Sequence, residues 1–366
     1  MTTLHLEHAL LPEGLRRNVS VTLDEEGTVL EVDRAADGVE LVPGLTLPGL
    51  VNAHTHLELS GPLVPGGQGL PAWVAQLRSV ERGPQEIPRA VQSLWDFGCA
   101  AVGEVTNTGA AAQALGASRL CGVIYQEVLG IDEEGLPELQ PLEVPGFHWR
   151  PTAHSPYSTS PSRIQAAMFP GTVRPTIHLD EDPAERDFLF DGSGPWAEFI
   201  RAVGRDLTRF QPPGCSPVSY LARLGVLKHS AVVHAVLSSE GAFLRLAEEH
   251  TPVVLCPRSN LHIGGRLPDL PGMVKHKVPL ALGTDSEASA PDLDLLQEVR
   301  CLLRAFPDIH PEIVLHAASS GGAEVLGLEH LGAIAPGKRP GLLNLDGCAR
   351  DLAGEAPILR RWLVEP

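Results

Sequence analysis

The sequence predicts a (β/α)₈ TIM barrel with a small β-sandwich domain built from both chain termini, and three observations carry that prediction. Eight short apolar runs recur between residues 47 and 285 with helix-like segments between them, and parallel strands need helical crossovers of that kind. Residues 1–46 and 331–366 read instead as turn-punctuated strands. Histidines and one aspartate stand at the ends of the apolar runs, where such barrels place their chemistry.

In the N-terminal part, Leu4–Leu10, Asn18–Leu23 and Thr28–Val32 are strand-like, separated by Pro12-Glu13-Gly14 and by Asp24-Glu25-Glu26-Gly27. The barrel, residues 47–330, takes its strands from Leu47–Ala53, Cys99–Glu104, Leu120–Leu129, Trp149–His154, Val173–Leu179, Ala231–Val236, Val253–Cys256 and Leu280–Asp285. Helical spacing of apolar residues marks Ile87–Phe97, Pro161–Phe169, Ser239–Glu249 and Leu293–Ala305, several of them opened by Ser, Pro or Asp. The turn-rich stretch Gly332–Gly341 leads into Leu342–Leu345, which returns the chain to the small domain. A doubly wound sheet is the competing fold, but no Gly-x-Gly-x-x-Gly turn follows the first strand.

Composition excludes several function classes. The 366 residues carry a formal charge of −17 with no basic run, which argues against a nucleic-acid-binding surface. No apolar stretch is long enough to span a membrane, and the N-terminus lacks the apolar core of a signal peptide. Six scattered cysteines without a Cys-x-x-Cys pair fit reduced thiols in a cytoplasmic protein.

The chemistry starts at His54-Thr-His56. Side chains at i and i+2 of a strand share a face, so these imidazoles have the placement for one metal ion, although a lone His-x-His is equally often two polar residues leaving a strand. Further candidates stand at other strand ends: His154, His178, His234 and Asp285. Together they are N/O donors suited to Zn²⁺ or a similar divalent ion. Glu181, three residues after His178, has the position of a proton shuttle beside the metal, its plain alternative being a helix first-turn acid. Asp285 ends a buried run, where an unpaired carboxylate is costly.

These residues carry a family resemblance. Pro48-Gly-Leu-Val-Asn-Ala-His-Thr-His56, His178-Leu-Asp-Glu181, His234, Ser259-Asn260-Leu and Gly283-Thr-Asp285-Ser resemble the amidohydrolase superfamily, in its branch of metal-dependent aminohydrolases. The resemblance implies one divalent ion, Zn²⁺ with Fe²⁺ or Mn²⁺ as alternatives, held by His54, His56, His178 and Asp285. It also implies His234 beside the attacking water and Glu181 as proton shuttle, with His234 and Asp285 relaying protons. No lysine lies between His56 and His178, which speaks against a carboxylated-lysine bridge, although Glu127 or another acid could still bridge.

Three stretches, His56–Ser60, Leu255–Gly265 and Thr284–Ser289, are similar to the aminodeoxyfutalosine deaminases of menaquinone biosynthesis. That similarity implies a purine nucleoside substrate extended by a benzoate, with Arg258 as the candidate for its carboxylate, its alternative being an ion-paired arginine. Glu58, His154, Ser155 and Ser286 are the other expected substrate contacts, while His262 and Cys256 read as structural. The alternatives are deamination of S-adenosylhomocysteine, methylthioadenosine, adenosine or guanine, hydrolysis of an amide or C–Cl bond, or metal binding without catalysis. A homodimer is common in the family, and the glycines of Pro62–Gly69 make it the candidate lid.

Overall fold

A computed structural model describes residues 1–366. The chain forms β1 (Thr2–Leu11), β2 (Gly14–Leu23), β3 (Val29–Arg34) and β4 (Val42–Pro48). Eight further strands follow: β5 (Leu50–Thr55), β6 (Cys99–Thr106), β7 (Cys121–Val128), β8 (Phe147–Ala153), β9 (Thr176–Leu179), β10 (Ala231–His234), β11 (Val253–Leu255) and β12 (Leu280–Leu282). β13 (Leu342–Leu345) and β14 (Arg360–Val364) end the chain.

The termini share one mixed sheet of six strands in the order β14-β13-β4-β1-β2-β3. Along β2 every second residue from Val19 to Leu23 is buried, the period-2 pattern of a strand with one covered face. Val19, Val21 and Leu23 pack with Leu6, Ala9, Val29 and Leu342 in a small core of their own. The apolar run from Leu47 divides between two sheets. Leu47 pairs with Leu343 in the terminal sheet, whereas Leu50 pairs with Cys99 in the barrel. Gly49 makes the change of sheet, and a Cβ there would meet Pro340 O at 2.7 Å and Ala100 Cβ at 2.8 Å. Periodicity did not reveal this division because both halves are apolar and buried on both faces. Nor did it mark β14, a half-exposed edge strand that begins with two arginines.

β5 to β8 and β9 to β12 are two parallel runs in sequence order, joined into a ring at both seams. At one seam His178 N donates to His154 O at 3.0 Å. At the other, Thr55 bridges Asp285 in parallel register. Helices surround the ring, and several of their starts are capped by side chains, although Ser239 makes no cap bond. Ser160 accepts from Arg163 N, and Asp294 from Leu296 N. Ile177 and Leu179 belong to the apolar layer between strands and helices, so His178 between them faces the inside of the ring.

The second seam is unusually tight. His54 O accepts from Thr284 N at 3.1 Å and Asp285 N at 3.2 Å, and His56 N donates to Asp285 O at 3.2 Å. Asn52 adds a side-chain clasp, its Nδ2 donating to Thr284 Oγ1 at 2.8 Å and its Oδ1 accepting from Thr284 N at 3.2 Å. Gly283 is required here, since a Cβ would lie 2.7 Å from both His54 O and His54 Cβ. Gly283→Ala is therefore expected to lower unfolding free energy in urea by roughly 1–3 kcal/mol, the usual range for overpacking. An unchanged midpoint and slope would contradict this close approach.

Candidate active site

The C-terminal ends of the barrel strands bring together the residues that the sequence singled out as metal ligands. His54 and His56 leave β5, His178 lies in β9, and Asp285 follows β12. His56 Nε2 is 3.2 Å from His178 Nε2 and 3.8 Å from Asp285 Oδ1. The His54 ring centroid lies 4.8 Å from that of His56 and 4.9 Å from that of His178. His54 is fully buried, yet neither of its ring nitrogens has a hydrogen-bond partner. Such an orphan is destabilising unless something else satisfies it.

The surrounding groups aim lone pairs inward. His178 Nδ1 lies 2.9 Å from His154 O, and a carbonyl only accepts, so Nδ1 carries the proton and Nε2 keeps its lone pair toward His56. Asp285 Oδ2 accepts from Ser259 Oγ at 2.5 Å and Ser289 Oγ at 3.2 Å, leaving Oδ1 for the cluster. Burial and the crowding of imidazoles hold His54 well below the usual histidine range and push His178 down to about 3, which keeps these rings neutral. Three imidazoles and a carboxylate converging on one point fit a divalent cation.

Beside the cluster stand two proton-handling groups. Asn260 Nδ2 donates to His234 Nδ1 at 3.0 Å, so the neutral ring carries its proton on Nε2, which lies 3.4 Å from Glu181 Oε2. Burial, aided by the charges of Asp285, Glu185 and Asp182, holds the Glu181 carboxyl well above the usual range, which favours the proton-bearing form that can donate. His234 is reached by backbone strain. Val232 packs into the outer layer, so regular alternation would carry His234 outward too. Instead φ is 76° at His234 and 49° at Ala235, a left-handed turn that is uncommon for non-glycine residues. Asp285 (φ 58°) and Asp180 (φ 56°) share the property.

Glu181 lies in the loop before the helix Pro183–Asp191 rather than a helical turn beyond His178. Its acidic neighbours have other tasks. Asp182 caps that helix and accepts from Leu70 N at 2.9 Å, while Asp180 is paired with Arg186 at 2.6 Å.

A cavity of about 410 Å³ opens from this cluster, within the usual range for small-molecule sites. His56, His178, Glu181, His234 and Asp285 form its floor, and Trp73, Leu77, Ile131, Trp196 and Phe199 contribute to its walls. Tyr157 stacks on Trp196 at 4.1 Å. His154 lines the cavity and faces Glu127, which is also 3.6 Å from His178 Nδ1. A larger groove of about 570 Å³ lies at the opposite end of the strands, beside Arg174, Lys228 and Lys338. It contains none of these groups.

The remaining expected contacts are placed differently. Glu58 lines the cavity, but its Oε1 accepts from Thr106, Thr108 and Ala110 and its Oε2 from Asn107 N at 3.0 Å. It shapes the loop after β6, which presents Asn107 to Glu127 at 2.8 Å. Ser155 does not line the cavity; it is buried behind His154, 3.0 Å from its Nδ1. Ser286 is buried too, against Ser289 at 3.2 Å. Arg258 does not reach the cavity. Its Nε donates to Glu298 at 2.5 Å and its Nη1 to Asp292 at 2.8 Å, so it joins the helix Pro257–Gly264 to the helix Leu295–Ala305. Ser259 and Asn260 of the same helix face the site, and Arg258 takes the other side. The glycine-bearing stretch Pro62–Gly69 is pinned, since His262 Nε2 donates to Val64 O at 2.6 Å and Gly67 N to Ile263 O at 3.1 Å. Asn107, Trp73 and Trp196 were missed, because an asparagine in a loop or a tryptophan in an amphipathic helix has no local signature of a cavity wall.

Chelation is expected to lower the thermal midpoint, and Zn²⁺ at a hundredfold excess over its Kd to restore about 2.7 kcal/mol. His54→Ala should abolish both the restoration and the bound metal in elemental analysis, and retention of both would contradict the assigned donor set. Arg258→Gln should act on stability, by about 3–5 kcal/mol as for a broken buried pair, because Glu298 is fully buried. A variant of unchanged stability with a raised KM would reverse this placement.

Comparison with known proteins agrees with the fold. Residues 213–360 match the family model described as Amidohydrolase family. The aminodeoxyfutalosine deaminase of Deinococcus radiodurans is 31% identical over 305 residues, covering 76% of this chain and 73% of that protein. The crystal structure of Helicobacter pylori aminofutalosine deaminase in complex with methylthio-coformycin superposes with a TM-score of 0.83 at 18% identity, covering 100% of this chain and 99% of that one. An adenosine deaminase from Xanthomonas campestris with bound zinc gives 0.73 at 21% identity, covering 97% and 89%. With its ring of parallel strands, its histidine cluster at their C-terminal ends and a relative this similar over most of both lengths, the chain belongs to the amidohydrolase family.

Proposed function

We propose that this protein is a metal-dependent hydrolytic deaminase of an adenine nucleoside, with 6-amino-6-deoxyfutalosine, which becomes futalosine and ammonia, as its substrate. The observation that carries the reading is the pairing of Glu181 with His234 beside the histidine cluster, at the floor of a cavity with aromatic walls. A ligand cluster alone would serve storage or structure; a buried acid facing it serves catalysis. The similarity to aminodeoxyfutalosine deaminases supports the choice of substrate.

His54, His56, His178 and Asp285 would hold the cation, Zn²⁺ in our reading, which supplies a Lewis acid that brings the pKa of a water molecule from about 15.7 toward about 7. The chain's own groups then manage the protons. Glu181 donates to the ring nitrogen next to the amine-bearing carbon, making that carbon electrophilic as water adds to it. Asp285 takes the proton of the attacking water. His234, its Nδ1 fixed by Asn260, donates from Nε2 to the oxygen that adds and holds it in place. Protonation of the exocyclic nitrogen from Asp285 breaks the C–N bond, and the added hydroxyl gives its remaining proton back to Glu181, so one water is consumed, ammonia leaves, the ring gains a carbonyl and both acids return to their starting state. The aromatic walls sandwich the base and exclude bulk water, and His154 with Glu127 and Asn107 borders the nucleoside.

The test is to incubate metal-loaded protein with adenosine, methylthioadenosine, S-adenosylhomocysteine and 6-amino-6-deoxyfutalosine, following the adenine-to-hypoxanthine absorbance change and ammonia release. The last substrate is expected to have the highest kcat/KM; turnover of amides or aryl halides with none of the nucleosides would overturn the reading. Glu181→Gln should keep its metal and lose about 10²–10⁴ in kcat, the usual range for general acid–base assistance. Near-normal kcat in that variant would remove Glu181 from its role.

A further inference from the structure

The cavity is electrically polarised along its length, and this bears on the end of the substrate remote from the reacting base. Its carboxylates are Glu58, Glu127, Glu181 and Asp285, and its only cationic residues are Arg78 and Arg205. The acids stand at the inner end: Glu127 and Glu181 touch His178 and His234, and Glu58 is tied to the loop that carries Asn107. The arginines stand at the mouth, where both are exposed.

The helix Leu70–Leu77 sets the distance between the two ends. Its first residue is fastened to Asp182, the neighbour of Glu181, by a 2.9 Å bond from Leu70 N. From there the helix runs outward with Leu70, Trp73, Val74 and Leu77 on the cavity side, and Arg78 is its C-cap. Eight residues at 1.5 Å each put Arg78 about 12 Å from that anchor along the helix axis. Arg205 is already matched by Asp132 at 3.3 Å and Glu133 at 2.5 Å, whereas Arg78 lies on no ion pair. A solvent-facing guanidinium left unmatched at the end of an apolar sleeve is a receiver for a carboxylate.

Resting on the deaminase reading, we propose that Arg78 is the specificity-determining residue that binds an anionic group, of the aryl carboxylate class, at the far end of an extended adenine nucleoside. The inner end of the cavity offers such a group no guanidinium, since Arg78 and Arg205 both stand at the mouth. The distal charge therefore orients the substrate as well as adding affinity, since only one direction of entry puts the purine over Glu181.

The experiment compares 6-amino-6-deoxyfutalosine with its methyl ester, which keeps the shape and removes the charge, in the holoenzyme and in Arg78→Met. The wild type is expected to prefer the acid, and the preference to fall with ionic strength because the pair is exposed. Arg78→Met should lose about 10- to 100-fold in kcat/KM for the acid, the range for a charge-assisted hydrogen bond, through KM rather than kcat, and leave the ester unchanged. Arg78→Lys should recover part of the loss. Calorimetric titration with the two hypoxanthine products provides a readout independent of turnover. Tighter binding of the acid product without turnover of any adenine nucleoside would sink the deaminase reading alone. Turnover with acid and ester bound equally, or an Arg78→Met effect of the same size on both, would sink the assignment of Arg78.

Discussion

The close approach of the first and last barrel strands is the constraint on which the rest depends. Where β5 meets β12 there is no room for a side chain at residue 283, and the backbone of His54 is bonded to that of Thr284 and Asp285. This closes the ring, and in the same stroke brings two of the proposed ligands that are remote in sequence, His56 and Asp285, within 3.8 Å. Two further ligands need only strand ends nearby: His54 rides with His56, and His178 is oriented by the carbonyl of His154 across the opposite seam. Both seams of the barrel thus lie at the histidine cluster, so a loosened ring and a loosened site are one event.

What was legible in the sequence follows from this. Strand ends in a barrel converge, so a histidine or aspartate at the end of an apolar run is a statement about position in space, and His54, His56, His178, His234 and Asp285 could be assembled from strand ends alone. The four capped or amphipathic helices were legible for the same local reason. The boundary at Leu47 was not, because Gly49 divides one continuous apolar run between two sheets. Arg258 was not either. An arginine at a helix start beside site residues reads as a substrate contact, and only the fold shows Glu298 and Asp292 waiting on its other side. Glu58 carries a related lesson: it shares the face of the ligands, but the turn after β6 takes up its oxygens. Local pattern identifies which elements converge; it does not report which partner a long polar side chain finds.

Electrostatics divides the site into compartments. Around the cluster, burial favours neutral imidazoles and a protonated Glu181, so the groups hold and donate protons without carrying large charges into a poorly solvated space. The outer cavity is apolar and aromatic, and charge returns at its mouth as arginine. Such a gradient suits the proposed substrate, with its flat, weakly polar head and charged tail. The strained backbone at His234 and Asp285 belongs to the same economy of placement, because regular strands would not aim both side chains at one point.

Two overlapping groups of donors exist in the barrel mouth, His54 with His56 and His178, and Glu127 with His154 and His178. They share His178, and each holds buried unpartnered atoms, both ring nitrogens of His54 in the first and Glu127 Oε1 in the second, but only the first also gathers Asp285. Anomalous diffraction from crystals of the metal-loaded protein separates them in one measurement. The expected result is a single peak about 2.0–2.2 Å from nitrogens of His54, His56 and His178 and from Asp285 Oδ1, with His234 outside the coordination sphere. A peak centred on Glu127 and His154, or none at the strand ends, would contradict the site on which the proposed chemistry stands.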